Sequence, residues 1–210
     1  MTICTNCKGT GIIENNRLLN NACKCWHCQG AGFILLREYH RRDHHFHLYK
    51  DDHEQIETIV SFLSEGLDRR EYSICNIEYG KIETLYKALA EAGIDRERDD
   101  IKPNLFITTA EDFYFHDQAF EPEKLFGSLV RFVNEALKSH PMGLRGVGGI
   151  PAVVHERVNE AEIQLYEALV HDYFERDKPQ LLALCQYQAN RVSRELLSSL
   201  ILAHDVTISA

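Results

Sequence analysis

From His44 onward, six strand-like segments alternate with five helical ones. That alternation leaves a chain few choices beyond βαβ units around a mostly parallel sheet. Residues 44–49 are short and aromatic. Asp52 opens a helix with Gln55 three residues on, the spacing of a capping box, and Ile56, Ile59, Val60, Leu63 and Leu67 share one helical face. Residues 72–77 form the next strand. A helix follows over 81–92, stopped by Gly93, and then a strand over 105–108. Pro122 suits the first turn of a helix running to Ser139, with Phe126, Leu129, Val130, Val133 and Leu137 facing inward. Residues 144–147 make a short strand entering a Gly-rich loop, and 154–174 a helix. The nearly all-apolar run 181–187 suits a central parallel strand. A helix over 193–204 and a strand over 206–209 complete the pattern. The expected fold class is α/β, a mostly parallel sheet with helices on both faces.

The N-terminal segment is of another kind. Residues 4–11 and 25–32 both read C-x-x-C-x-G-x-G, with Cys4 and Cys7 in the first copy and Cys25 and Cys28 in the second. Each C-x-x-C turn aims two sulfurs at one centre, and two such turns supply a tetrahedral structural Zn2+ site, one zinc per chain. The glycines let the backbone fold under the metal. Two disulfides, a rubredoxin-like iron site or a redox-active pair would use the same cysteines. Cys23 is the spare thiol beside them, and His27 reads as a solvated turn residue. No signal-peptide pattern precedes the cysteines and no apolar run is long enough to span a bilayer, so a cytoplasmic location is expected, where reducing conditions disfavour disulfides. The chain divides into a zinc-binding hairpin over 1–36, a linker over 37–43 and an α/β body over 44–210.

Charge is unevenly spread between these parts. Of 23 Lys and Arg and 32 Asp and Glu, residues 1–50 hold seven and three, so the remainder carries 16 against 29. An acidic body is a poor match for a nucleic-acid backbone, which needs clustered cations. The basic head, with Arg37, Arg41 and Arg42, suits an acidic partner. A hydrophobic content of 44% argues for a real core.

The doubled cysteine motif resembles the cysteine-rich repeats of DnaJ-type chaperones, although two repeats stand here where those carry four, and no His-Pro-Asp tripeptide is present. The body resembles the MEDS domain, the sensory domain of methanogens, methylotrophs and DcmR-type regulators. The likeness rests on the run His44 to Asp51, the helix end Phe62 to Leu67, the block from Glu111 through Phe120 to Pro122, Leu184 to Tyr187, and the helix at Ser193 to Leu197. It implies sensing of a small molecule on a RecA-like scaffold. DcmR-type regulators attach this domain to a helix-turn-helix. A zinc knuckle stands in that place here, which argues against direct DNA contact and for a protein partner. Exposed sheet edges in such folds make a homodimer plausible.

RecA-like ancestry raises the question of a triphosphate. A phosphate cradle needs G-x-x-x-x-G-K-[ST] after the first strand. Residues 49–55 hold no glycine and three acids, Asp51, Asp52 and Glu54, so the loop is degenerate and ATP hydrolysis is not expected. The Gly-rich stretch from Gly143 to Gly149 lacks the lysine and hydroxyl.

Open α/β sheets bind ligands at the carboxyl ends of their strands. The expected rim holds Tyr49, Asp51, Glu78, Thr108, Arg145 and Tyr187, with Arg145 orienting an anion or pairing with Glu78. Five histidines, His40, His44, His45, His47 and His53, fall within 14 residues. His45 and His47 share a strand face and form a candidate second metal or haem pair, against the reading of a polar, exposed strand start. Cys75 and Cys185 lie in apolar strands and read as inert core residues. No catalytic constellation stands out. The expectation is a non-enzymatic, signal-transducing sensory protein; a metal-dependent enzyme or nucleotide-binding protein is the alternative.

Overall fold

The computed structural model describes residues 43–115, 119–150 and 157–205 in full, and the backbone alone of five short strands outside them. Contacts divide the chain into two units, Met1–His40 and Arg41–Ala210. In the first, β1 (Thr2–Ile3) pairs antiparallel with β4 (Phe33–Ile34), and β2 (Ile12–Glu14) with β3 (Ala22–Lys24). Residues 4–11 connect β1 to β2, and residues 25–32 connect β3 to β4. The expected zinc ligands Cys4, Cys7, Cys25 and Cys28 lie outside the described residues, as do His27, Arg37, His40, Arg41 and Arg42. Cys23 falls in β3, of which only the backbone is described.

The second unit carries β5 (His44–Tyr49), β6 (Tyr72–Ile77), β7 (Leu105–Thr109), β8 (Leu144–Gly149), β9 (Leu181–Gln188) and β10 (Val206–Ser209). They form one sheet in the order β10-β5-β9-β8-β6-β7, and every neighbouring pair is parallel. Parallel neighbours need crossovers. These are supplied by α1 (Asp52–Asp68), α2 (Ile82–Glu91), α3 (Ala110–Tyr114), α4 (Pro122–Ser139), α5 (Glu160–Asp177) and α6 (Arg194–Leu202).

Both faces are covered, which is why β9 is apolar from Leu181 to Cys185. Ile56, Ile59, Leu63, Leu85 and Leu89 of α1 and α2 pack on Cys75, Ile77, Val147 and Leu184. The other face takes Val133, Ile163, Val170, Phe174, Leu196 and Leu200 of α4, α5 and α6 onto Phe46, Leu181 and Tyr187. Each such side chain stabilises by about 1.5–3 kcal/mol relative to exposure. The route from β5 to β6 passes over β9 and β8, whereas the route from β9 to β10 passes back over β5. β5 and β9 are therefore adjacent strands whose chains leave for opposite faces, the arrangement that opens a crevice at their carboxyl ends.

Three local expectations change. The Gly-rich stretch after residue 147 is not a loop: β8 continues to Gly149 in register with Gln186. A side chain at Gly149 would collide with the Gln186 carbonyl, so glycine is what lets β8 lie there. The first helix is capped one residue earlier than its sequence spacing suggests, with Asp51 accepting from the Glu54 N–H at 3.0 Å. Helix α5 opens at Glu160 on an Asn159–Glu162 capping box, and the expected start at residue 154 lies outside the described residues. Among the described residues, no helix is long and apolar enough to cross a membrane.

Candidate functional site

At the carboxyl end of β5 the chain fills its own turn. Asp51 caps α1, and Glu54 reaches back to accept from the Lys50 N–H at 2.8 Å. Lys81, arriving from the end of β6, places its ammonium 2.7 Å from Asp52, 2.9 Å from Glu78 and 2.8 Å from the Gln55 carbonyl oxygen. The same ammonium lies 5.7 Å from the centroid of the buried Tyr49 ring. Burial, partly offset by Lys81, pushes the Tyr49 phenol up to about 12. Burial works against the Lys81 ammonium, but bonds to Asp52 and Glu78 outweigh it and raise its pKa. A triphosphate would find carboxylates and a neutralised lysine here.

Of the expected rim, Tyr49, Asp51 and Glu78 gather around this turn. Thr108 sits on β7 at the sheet edge, opposite Asn76. Tyr187 is fully buried and donates its hydroxyl hydrogen to Glu167. Arg145 is not at this rim and does not pair with Glu78. Because β8 starts at Leu144, Arg145 is its second residue and lies at the opposite end of the sheet. Its guanidinium is wholly buried, 2.7 Å from Glu71 and 3.0 Å from Glu65, and lies over the Phe62 ring at 4.8 Å.

The histidines of β5 are buried rather than exposed. His45 faces Asp43 at 3.5 Å, while His47 faces Glu54 at 3.9 Å and meets the Gln186 amide at 3.0 Å. The two rings therefore turn to separate carboxylates. Desolvation lowers both pKa values, against the raising effect of Asp43 and Glu54 respectively.

Pleat alternation sends His44 to the other face, and there a cluster forms. His44, Glu167 of α5, Cys185 of β9 and His204 after α6 each offer one ligand-type atom, all within 4.8 Å of one another. His44 Nε2 lies 3.2 Å from Cys185 Sγ and 3.7 Å from Glu167 Oε2, and His204 Nε2 lies 3.6 Å from that same oxygen. His44 Nδ1 is 3.1 Å from the Ala203 carbonyl and His204 Nδ1 is 2.6 Å from the Leu200 carbonyl. A carbonyl only accepts, so each Nδ1 donates a proton to it and each Nε2 is left facing the centre. Phe174 stacks on His44 at 5.0 Å, fixing the ring. Burial lowers the His44 pKa well below its usual value, with His204 adding to the effect, and raises those of Glu167 and Cys185.

Beside the cluster lies an apolar cavity of about 90 Å3, walled by His44, Cys185, Phe113, Tyr114, Val133 and Tyr166 among others. Its floor is bare sheet, because Gly146, Gly148 and Ala183 put almost no side chain there. Cys185, read from sequence as inert, thus touches both cavity and cluster, whereas Cys75 is buried with its thiol pKa pushed up by desolvation. One sequence signal for the site was available. Glu167 lies on the apolar face of α5, four residues after Ile163 and three before Val170. A carboxylate there has to be held by something.

Six parallel strands between two helix layers place the domain in the doubly wound α/β class. Within that class the family MEDS, described as MEthanogen/methylotroph, DcmR Sensory domain, matches residues 43–205. The chain belongs to the MEDS family. No curated protein matches it.

Proposed function

We propose that this protein is a sensory, signal-transducing protein whose α/β body binds a small, largely apolar effector, and that its zinc-held N-terminal segment passes the bound state to a protein partner. The observation that carries the reading is the cavity over the Gly146, Gly148 and Ala183 floor. At about 90 Å3 it is smaller than a pocket of about 150 Å3 that takes benzene, yet holds about three times a water's share of liquid volume. It fits an organic molecule of a few heavy atoms. The MEDS assignment supports a sensory role. The β1–β4 and β2–β3 pairings support the knuckle, because each cysteine motif runs from one small sheet to the other. The reading places the protein in a reducing, cytoplasmic compartment, where thiolates stay available to Zn2+. The filled β5–α1 turn favours binding without nucleotide hydrolysis.

The test is a thermal-shift and native mass-spectrometry screen of the full chain against small alcohols, thiols and halocarbons. A ligand at 100 times its Kd contributes about 2.7 kcal/mol, which raises Tm by about 5–10 °C in a domain of this size. Ala183→Leu, which fills the floor, should abolish the shift while the variant stays folded. An unchanged response in Ala183→Leu would overturn the cavity reading, and Mg-ATP turnover that disappears in Asp51→Ala would replace it with an enzymatic one.

A further inference from the structure

We propose that His44, Glu167, Cys185 and His204 form a second, buried site for a divalent transition metal, best matched by Zn2+ and separate from the cysteine knuckle. Tetrahedral zinc with bonds of about 2.0–2.3 Å holds its ligand atoms about 3.3–3.8 Å apart. The cluster shows 3.2, 3.6 and 3.7 Å between neighbouring donors. Those last two separations are too long for hydrogen bonds, and indeed Glu167 Oε2 and His204 Nε2 are buried without a hydrogen-bond partner among the described residues. Two facing polar atoms left without a partner in a dry core are costly, and a cation between them would satisfy both.

The surroundings are those of a metal site. Both imidazoles are oriented by Nδ1–H bonds to backbone carbonyls, and the other Glu167 oxygen accepts from Tyr187. Such outer contacts fix the tautomer and aim the ligand. Charge also balances. Two neutral imidazoles, one thiolate and one carboxylate carry −2, so a divalent ion makes the buried centre neutral. The donor set of two nitrogens, one sulfur and one oxygen suits Zn2+. On binding, Cys185 gives up its thiol proton, which passes to solvent. Four protein ligands close the shell, so the ion ties β5, α5, β9 and the end of α6 together. His44 and Cys185 also wall the cavity. An occupant there would touch two of the ligands.

The proposal goes beyond effector binding and is read out without it. Full-length protein carrying Cys4→Ser, Cys7→Ser, Cys25→Ser and Cys28→Ser is loaded with Zn2+, or with Co2+ as a spectroscopic probe, and dialysed. It should retain one equivalent of metal. X-ray absorption should show one sulfur and three nitrogen or oxygen neighbours, and Co2+ should give a thiolate charge-transfer band. Adding Cys185→Ser or His204→Ala should weaken binding by more than the about 10–100-fold that losing an outer contact costs. If the quadruple variant does not fold, His204→Ala in the otherwise unaltered chain should lower bound metal by one equivalent. A folded quadruple variant that retains no metal, or metal content indifferent to both Cys185→Ser and His204→Ala, overturns the proposal. Failure of the effector screen leaves these metal counts unchanged, so the two ideas fall separately.

Discussion

Arg145 offers the sharpest test of the packing described above. Its guanidinium is fully buried and holds Glu71, itself 4% exposed, at 2.7 Å, with a further bond to the Phe62 carbonyl at 3.3 Å. Arg145→Met preserves most of the volume and removes the charge. The Glu71 carboxylate is then left in the core without its cation, a loss of about 3–5 kcal/mol. That is about a fifth or more of the total stability of an ordinary domain. With a urea slope of about 2 kcal/mol per molar, the midpoint falls by about 1.5–2.5 M. Glu65 is 34% exposed on its side chain, so Glu65→Ala should cost only about 1 kcal/mol or less. Combining Arg145→Met with Glu71→Leu replaces the pair by apolar groups and should recover most of the loss, because the penalty belongs to the orphaned charge. Urea denaturation followed by circular dichroism and fluorescence in parallel measures five proteins: the unaltered chain, Arg145→Met, Glu65→Ala, Glu71→Leu and the double variant. Should Arg145→Met cost under about 1 kcal/mol, or the double variant cost the sum of its parts, the burial argument fails.

Two glycines in helices should respond in opposite directions to the same change. Gly66→Ala pushes a Cβ into Ser73 Oγ and to 2.7 Å from Arg145 Cδ, so it should destabilise by about 1–3 kcal/mol despite better helix propensity. At Gly127 the nearest atom is Arg131 Nη1 at 3.8 Å, and Gly127→Ala should stabilise by about 0.5–1 kcal/mol; thermal melts giving the same sign for both would contradict this. Tyr49, with its phenol at about 12 in the fold, keeps its proton in both states below pH 10. Between pH 10 and 12 only the unfolded chain loses that proton, so stability drops as pH rises, by about 2–3 kcal/mol from this group. Tyr49→Phe should flatten that part of the stability–pH curve, and an identical slope would exclude Tyr49 as a contributor. At the head, Cys4→Ser should remove one equivalent of zinc from purified protein, and metal analysis finding no change would remove Cys4 from the ligand set.

Elements with a strong local pattern were readable in advance. The β9 run, the apolar faces of α1 and α4 and the Pro122 start all follow from side chains within one element. The extent of β8 was not, since Gly148 and Gly149 look like a loop until the Asn76 side chain and the Gln186 backbone are seen lying against them. Helix α3 spans only Ala110–Tyr114, too short for periodicity to register. Candidate-site residues divided the same way. His45 and His47 drew notice through spacing along one strand, but their partners lie on different neighbours. The cluster of His44, Glu167, Cys185 and His204 draws on four elements, and only strand order and the α5 crossover bring them together. Arg145 failed as a rim residue for a related reason, because the end of a strand at which a residue lies depends on where the strand begins.

The placement of β5 has a consequence for how the domain is made. It is the first of the six body strands to leave the ribosome, yet its two neighbours, β9 and β10, are the last. About 130 residues separate the end of β5 from the start of β9. At about 5–20 residues per second, the nascent His44–Tyr49 segment waits roughly 6–26 s before a hydrogen-bonding neighbour exists. During that interval a run of aromatic and imidazole side chains has no strand paired on either side, which makes translation speed and chaperone access part of what this topology demands of the cell.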